Sequence, residues 1–140
     1  MPELILIRGV PGSGKSTLAL DMWSGDRSAG MSATVLEADM WMTDRNGRYQ
    51  FDGTRLKECH QKCQQTVNLH MMQGTERIYV ANTFIKKWEA DMYLALAKVW
   101  GYDVKVIRLE GNFENVHGVP ADKVAIMKAN MEIYPGEIYK

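Results

Sequence analysis

The residues with the clearest chemistry are Gly9-Val10-Pro11-Gly12-Ser13-Gly14-Lys15-Ser16, which match G-x-x-x-x-G-K-[ST] at every fixed position. Glycines at 9, 12 and 14 let the backbone turn left-handed and approach an anion without an intervening side chain. Successive N–H groups then form a concave anion site, reinforced by the positive end of the following helix, which Thr17 continues. Lys15 is spaced to reach the β- and γ-phosphates of a nucleotide, and the Ser16 hydroxyl to ligate magnesium. The segment therefore predicts a nucleoside triphosphate site, with ATP and Mg2+ as the expected ligands and Gly9, Pro11, Gly12, Ser13, Gly14, Lys15, Ser16 and Thr17 as the binding residues. An accidental flexible turn is the alternative. The apolar run Leu4–Ile7 before the loop and the helical pattern after it argue against that.

Asp39 is the second candidate. It follows a short apolar run, Thr34–Leu36, so as a strand-end residue it faces the same crevice as the loop. A carboxylate there can orient an acceptor hydroxyl, take its proton during attack on the γ-phosphorus, and help hold the metal. The competing reading is that Asp39 caps a short helix starting at Met40. Trp41, Tyr49 and Phe51, interleaved with Arg45 and Arg48, suit stacking on a base beside a phosphate backbone, or equally the covering of a sheet edge. Asn82 and Thr83 end a later strand near the crevice, as acceptor ligands or as ordinary strand termination. Cys59, Cys63 and His70 share a helical face, but they fall in its apolar stripe. Three ligands on one helix do not surround a metal, so core packing explains them better.

The elements that must position these residues alternate. Strands are expected at Leu4–Ile7, Thr34–Leu36, Arg77–Ala81 and Val104–Ile107. Helices are expected from Lys15 to Trp23 ending near Gly25, from Leu56 to Met71 closed by Gly74, and after Pro120. Another is expected along the stripe Ile85, Trp88, Met92, Leu96 and Val99, stopped by Gly101. Residues 39–52 read as an irregular excursion. This order predicts an α/β fold, a three-layer P-loop NTPase of kinase type with a mostly parallel central sheet of about four strands.

The 140 residues suit one domain, residues 1–140. Seventeen basic and 17 acidic residues give a formal net charge of zero, which argues against a large basic surface for duplex DNA. Two cysteines make no disulfide framework, and no apolar run is long enough for an export signal or a membrane span. A cytoplasmic setting away from membranes is the expectation, and nothing in the sequence implies a protein partner. No Asn-Lys-x-Asp motif reads guanine, and the chain has no room for the helical lid of a mechanical ATPase. A small phosphotransferase remains.

Val35-Leu36-Glu37-Ala38-Asp39, Gly47-Arg48-Tyr49-Gln50-Phe51-Asp52, Ala81-Asn82-Thr83 and Asn115-Val116-His117-Gly118-Val119-Pro120 resemble successive landmarks of the polynucleotide-kinase-like P-loop kinases. These are small AAA-type ATP-binding kinase domains of phage and animal end-healing enzymes. The resemblance runs from Leu4 to about Met131 and implies ATP-dependent phosphorylation of a hydroxyl, in the best-known members the 5′-hydroxyl of a nucleic acid. It gives Asp39 the position of the general base; Trp41, Arg48, Tyr49, Asn82 and Thr83 are the substrate-binding candidates on their residue types and places. His117 and Lys123 become lid candidates. Three departures stand out. Met40, Trp41 and Met42 replace the usual second acid and arginine, Ala81 replaces an aspartate, and Phe113 and Glu114 stand where lid arginines usually lie. Arg108, Lys123 and Lys128 are the nearest cations. A nucleoside, nucleotide or other small-molecule kinase, or a catalytically weak ATP-binding regulatory module, are the alternatives.

Overall fold

The computed structural model describes residues 1–110 and 119–140. Strands β1 (Glu3–Arg8), β2 (Ala33–Leu36), β3 (Arg77–Asn82), β4 (Asp103–Arg108) and β5 (Ile138–Tyr139) form a sheet ordered β2-β3-β1-β4-β5. Every pairing is parallel. The expected four strands are thus joined by a fifth, a two-residue strand whose Ile138 pairs with Ile107.

Central β1 is buried on both faces, and its alternating side chains sort into two cores. Leu4 and Leu6 pack with Cys59, Cys63, Val67 and Met71 of helix α2 (Leu56–Met72) and Tyr93 and Ala97 of helix α3 (Asp91–Trp100). Ile5 and Ile7 pack with Ala19 and the half-buried Leu18 and Met22 of helix α1 (Lys15–Ser28). Each fully buried Leu, Ile, Val or Met among them contributes about 1.5–3 kcal/mol of transfer free energy. The chain leaves β1 toward β2 and then returns through β3 to β4, so crossovers of one hand put α1 on one face and α2 and α3 on the other. Adjacent strands β1 and β3 therefore lead off in opposite directions, which opens a crevice beyond their carboxyl ends.

Several sequence expectations shift. Helix α1 runs through Gly25 to Ser28, because Gly25 is solvent-exposed and a glycine inside a helix costs only about 1 kcal/mol. The expected stripe of α3 is out of phase: Ala90, Tyr93 and Ala97 are buried, whereas Trp88 and Val99 are 70% and 73% exposed. Eight of the ten residues of α3 are apolar, so periodicity alone does not choose a face. Tyr93, set edge-on to Phe84 with ring centroids 5.6 Å apart, and two small alanines make the closer fit. Ile85 lies before a 3-10 turn (Lys87–Ala90), outside the helix. The last helix, α4 (Ala121–Asn130), begins after Pro120 as expected, with Val124 and Met127 half-buried.

Arg8 closes β1 and is fully buried. Its guanidinium donates to the Phe84 carbonyl at 3.0 and 2.6 Å, to the Glu132 carbonyl at 2.6 Å and to Glu137 Oε2 at 2.7 Å. It also lies 4.2 Å from the centre of the Tyr134 ring. Phe84 adopts φ +46°, a left-handed conformation uncommon for a residue with a side chain. One buried cation thus ties β1, the segment after β3 and the C-terminal segment together, directly behind the phosphate loop.

Candidate active site

Gly12 and Gly14 take φ +84° and +94°, and the Ser13 amide donates to the Val10 carbonyl at 3.1 Å, so the loop closes as a tight turn. A Cβ on Gly9 would overlap Ser13 Oγ and come within 3.2 Å of the Leu109 carbonyl. Ser13 is 1% exposed, and its hydroxyl has no hydrogen-bond partner among the described residues. Helix α1 starts from Gly14 with no side-chain cap and no acidic residue in its first turn, so its positive end stays unneutralised. This cradle fits a phosphate group: glycine-shaped, rich in N–H donors and electropositive. Pro11 and Thr17 flank it, Thr17 exposed on the first turn of α1.

Lys15 Nζ curls back to donate to the Val10 carbonyl at 3.1 Å. Burial lowers its pKa, and the charges of Glu37 and Asp39 oppose that shift. Ser16 Oγ donates to Glu37 Oε1. Both carboxylates come from the end of β2, where Glu37 heads a 3-10 turn (Ala38–Trp41) that holds Asp39. The cap position belongs to Glu37, so Asp39 is not the cap that the alternative sequence reading made of it. The turn is fixed to β3 because the Ala38 amide donates to Asn82 Oδ1 at 2.9 Å. Asn82 is itself buried, and Thr83 beside it is half-buried. Serine hydroxyl and carboxylate oxygens are the donor set that magnesium takes, so these residues fit that ion.

The excursion after Asp39 is a small hairpin. Thr43 bridges Tyr49, the Asp44 amide donates to the Arg48 carbonyl at 2.8 Å, and Gly47 makes the turn at φ +77°. Burial raises the Tyr49 pKa, and the Asp39 charge raises it further. Arg55 pins the hairpin by donating to the carbonyls of Thr43 at 2.7 Å and Trp41 at 2.9 Å. Trp41 itself is half-buried against the α2–α3 core, whereas Arg48, Tyr49 and Phe51 are exposed. Thr43, Asp44, Arg45, Phe51 and Arg55 line an open cleft of about 680 Å³.

The lid candidates are dispersed. His117 lies outside the described residues, and Lys123 is exposed on α4. Arg108 pairs with Glu110 at 2.9 Å and Glu137 at 3.7 Å, and Lys128 lies 4.0 Å from Glu110. Cys59 and Cys63 are free thiols in the core, and His70 Nδ1 lies 3.0 Å from Thr75 Oγ1. Among the described residues no cluster of three His, Cys, Asp or Glu suits a metal, and no helix is long and apolar enough to cross a membrane. Sequence reasoning missed Glu37, although the strand-end rule that selected Asp39 applies equally two residues earlier.

Residues 4–114 match the AAA domain family. NEDD4-binding protein 2 of Homo sapiens is 32% identical over 133 residues, 89% of this chain, and the match spans only 7% of that relative. Among solved structures, the Mycobacterium tuberculosis APS kinase CysC in complex with AMPPNP and APS superposes with a TM-score of 0.59 at 17% identity, over 89% of this chain and 67% of that one. A sugar kinase from Janibacter sp. HTCC2649 gives 0.60 at 20% identity, over 100% and 84%. With the phosphate loop, the parallel five-stranded sheet and these likenesses in hand, the chain belongs to the AAA domain family and has the fold of a P-loop kinase.

Proposed function

We propose that this chain binds ATP with magnesium and transfers the γ-phosphoryl group to a hydroxyl, with the 5′-hydroxyl of a nucleic acid as the favoured acceptor. The observation that carries the proposal is the Ser16–Glu37 hydrogen bond, which brings the end of β2, with Asp39 two residues on, to the phosphate loop that holds Lys15. The loop amides and Lys15 hold the β- and γ-phosphates, and desolvation around Lys15 strengthens its pull on them. The Ser16 hydroxyl would hold magnesium, which would supply neutralisation of the phosphate charge. Asp39 accepts the acceptor's hydroxyl proton as that oxygen bonds to the γ-phosphorus and ADP leaves. Tyr49, Arg48, Phe51 and Arg45 on the hairpin suit a stacked base and its phosphate, while Asn82 and Thr83 flank the crevice floor. The two free cysteines are consistent with a reducing cytoplasm. The APS kinase neighbour, recorded with AMPPNP and APS, lends support to kinase chemistry on this fold.

A second reading is an ATP-binding module that does not turn over. It is favoured by Ala81, which lies buried in the α1-side core, and by the engagement of Arg108 with Glu110 and Glu137. Incubation with γ-labelled ATP and a panel of acceptors tests both. Label on a 5′-hydroxyl oligonucleotide supports the first, and label on free nucleosides or other small molecules alone redirects the acceptor. Tight ATP binding without transfer to any acceptor establishes the second reading.

A further inference from the structure

The Ser16 hydroxyl, the loop's candidate metal ligand, meets a carboxylate from the end of β2, and β3 carries no acidic residue. Residue 81, at the β3 end, pairs in register with Ile7, and its methyl group lies in the apolar cluster facing α1. Asn82 turns the other way, its side-chain oxygen taken up by the Ala38 amide. β2 supplies two carboxylates instead, and one of them, Glu37, accepts the hydrogen of Ser16 Oγ.

We infer that Glu37 is the positioning carboxylate of the magnesium site, standing in from β2 for the acid that Ala81 does not provide; this rests on the ATP–magnesium reading above. A serine hydroxyl has one hydrogen to donate and two lone pairs. With its hydrogen committed to Glu37, Ser16 keeps its lone pairs for a cation, and the negative charge behind it makes the oxygen a better ligand. Partners of this kind behind a metal ligand are worth about 10- to 100-fold in metal affinity. Two carboxylates two residues apart then divide the work: Glu37 orients the ligand of the metal, and Asp39 serves the acceptor. The backbone between them is pinned by Asn82, which keeps the two from exchanging places.

The test is a titration of ATP binding against free magnesium for the parent, Glu37→Gln, Glu37→Asp and Lys15→Ala, with thermal melting of each. Glu37→Gln is expected to need about 10- to 100-fold more magnesium for the same gain in ATP affinity, with metal-free binding unchanged. Glu37→Asp is expected to recover part of that loss, which an uncharged cap would not do. The same magnesium requirement in Glu37→Gln and parent overturns the inference. So does a loss of ATP affinity in Glu37→Gln that is equal with and without magnesium. If the parent binds no ATP at all, or Lys15→Ala binds it like the parent, the ATP reading itself fails, an outcome distinct from the failure of Glu37.

Discussion

Between Gly9 and Ser16 the groups offered to a ligand are backbone amides beside the Lys15 and Ser16 side chains, held by glycine conformations and by a helix end without a cap. Between Asp39 and Arg55 they are side chains on a hairpin, with Arg45, Arg48, Tyr49 and Phe51 exposed, over an open cleft. The first arrangement leaves no room for a Cβ at Gly9. The second tolerates backbone adjustment, and each of its side chains acts separately. A backbone-built site recognises what all nucleotides share, and a side-chain-built site distinguishes one acceptor from another. Substitutions on the two sides should therefore fail in different ways.

The largest expected effects fall where the two sides meet. Lys15→Ala is expected to weaken ATP binding and abolish transfer, because the charge between the phosphates is lost. Asp39→Asn keeps the shape and removes the proton acceptor, so transfer is expected to fall by about 10²–10⁴ while ATP binding in metal-free buffer and melting temperature hold. Transfer assays beside nucleotide titration check both; a parallel fall in melting temperature and activity would assign Asp39 a structural role. Lys15 also sets a pH dependence. Its folded-state pKa is lowered by burial, and phosphate binding favours the protonated form, so ATP affinity is expected to be flat at low alkalinity. It then declines at a lower pH than an ordinary lysine allows, and Lys15→Arg is expected to shift that decline upward.

The next effect concerns what supports the backbone-built side. Arg8→Met strips buried Glu137 of its nearer cation and leaves it Arg108 at 3.7 Å, and breaking such a buried pair costs about 3–5 kcal/mol. Denaturant unfolding measures this, and ATP affinity of the remaining folded fraction is expected to stay near the parent's. Burial pushes the Glu137 carboxyl up, but hydrogen bonds from Arg8, Tyr139 and the Tyr134 amide, with the Arg8 charge, outweigh it and hold its pKa below the usual value. A lowered carboxylate pKa contributes stability that is present above the unfolded value, about 4.5, and is lost as pH falls through the folded one. Glu137→Gln is therefore expected to flatten the acid limb of the stability curve. An acid limb unchanged from the parent's would remove Glu137 from this role.

Much of this was legible because it is local. The loop motif, the apolar β1 and the strand-end place of Asp39 each lie within a few residues, where spacing determines geometry. Arg8 was not legible. Its partners lie 76, 124 and 129 residues away, and a charged residue closing a strand carries no sign of burial. The two-residue β5 is too short to show a period, and it exists because the C-terminal segment is drawn back to Arg8 and Arg108. The apolar residues of α3 fit more than one face, and packing against Phe84 selects Tyr93. Glu37 was hidden by its neighbour: Asp39 satisfied the expectation of one acid at the strand end, and only the Ser16 contact distinguishes the second.

The smallest effects belong to the hairpin, and they test whether its side chains act one by one. Phe51, Tyr49 and Arg48 are exposed, so their loss should leave folding intact, whereas Trp41 packs on the core and its truncation should lower stability as well. With an oligonucleotide acceptor, Phe51→Ala or Tyr49→Ala is expected to weaken acceptor binding by about 1–3 kcal/mol each, the worth of one stacked base. Arg48→Ala is expected to do less in magnitude but to reduce the salt slope by about one phosphate's share, because it removes a charge and no stacking surface. A net-neutral chain neutralises few phosphates, so the parent's own slope should be shallow. Acceptor affinity measured across a salt series in parent, Phe51→Ala, Arg48→Ala and the double variant separates the two contributions. Additive losses, with the slope changed only where Arg48 is gone, mark independent side-chain contacts to a nucleic acid. Equal use of nucleosides and oligonucleotides, insensitive to salt and to all three variants, would move the acceptor off the hairpin and make it a small molecule.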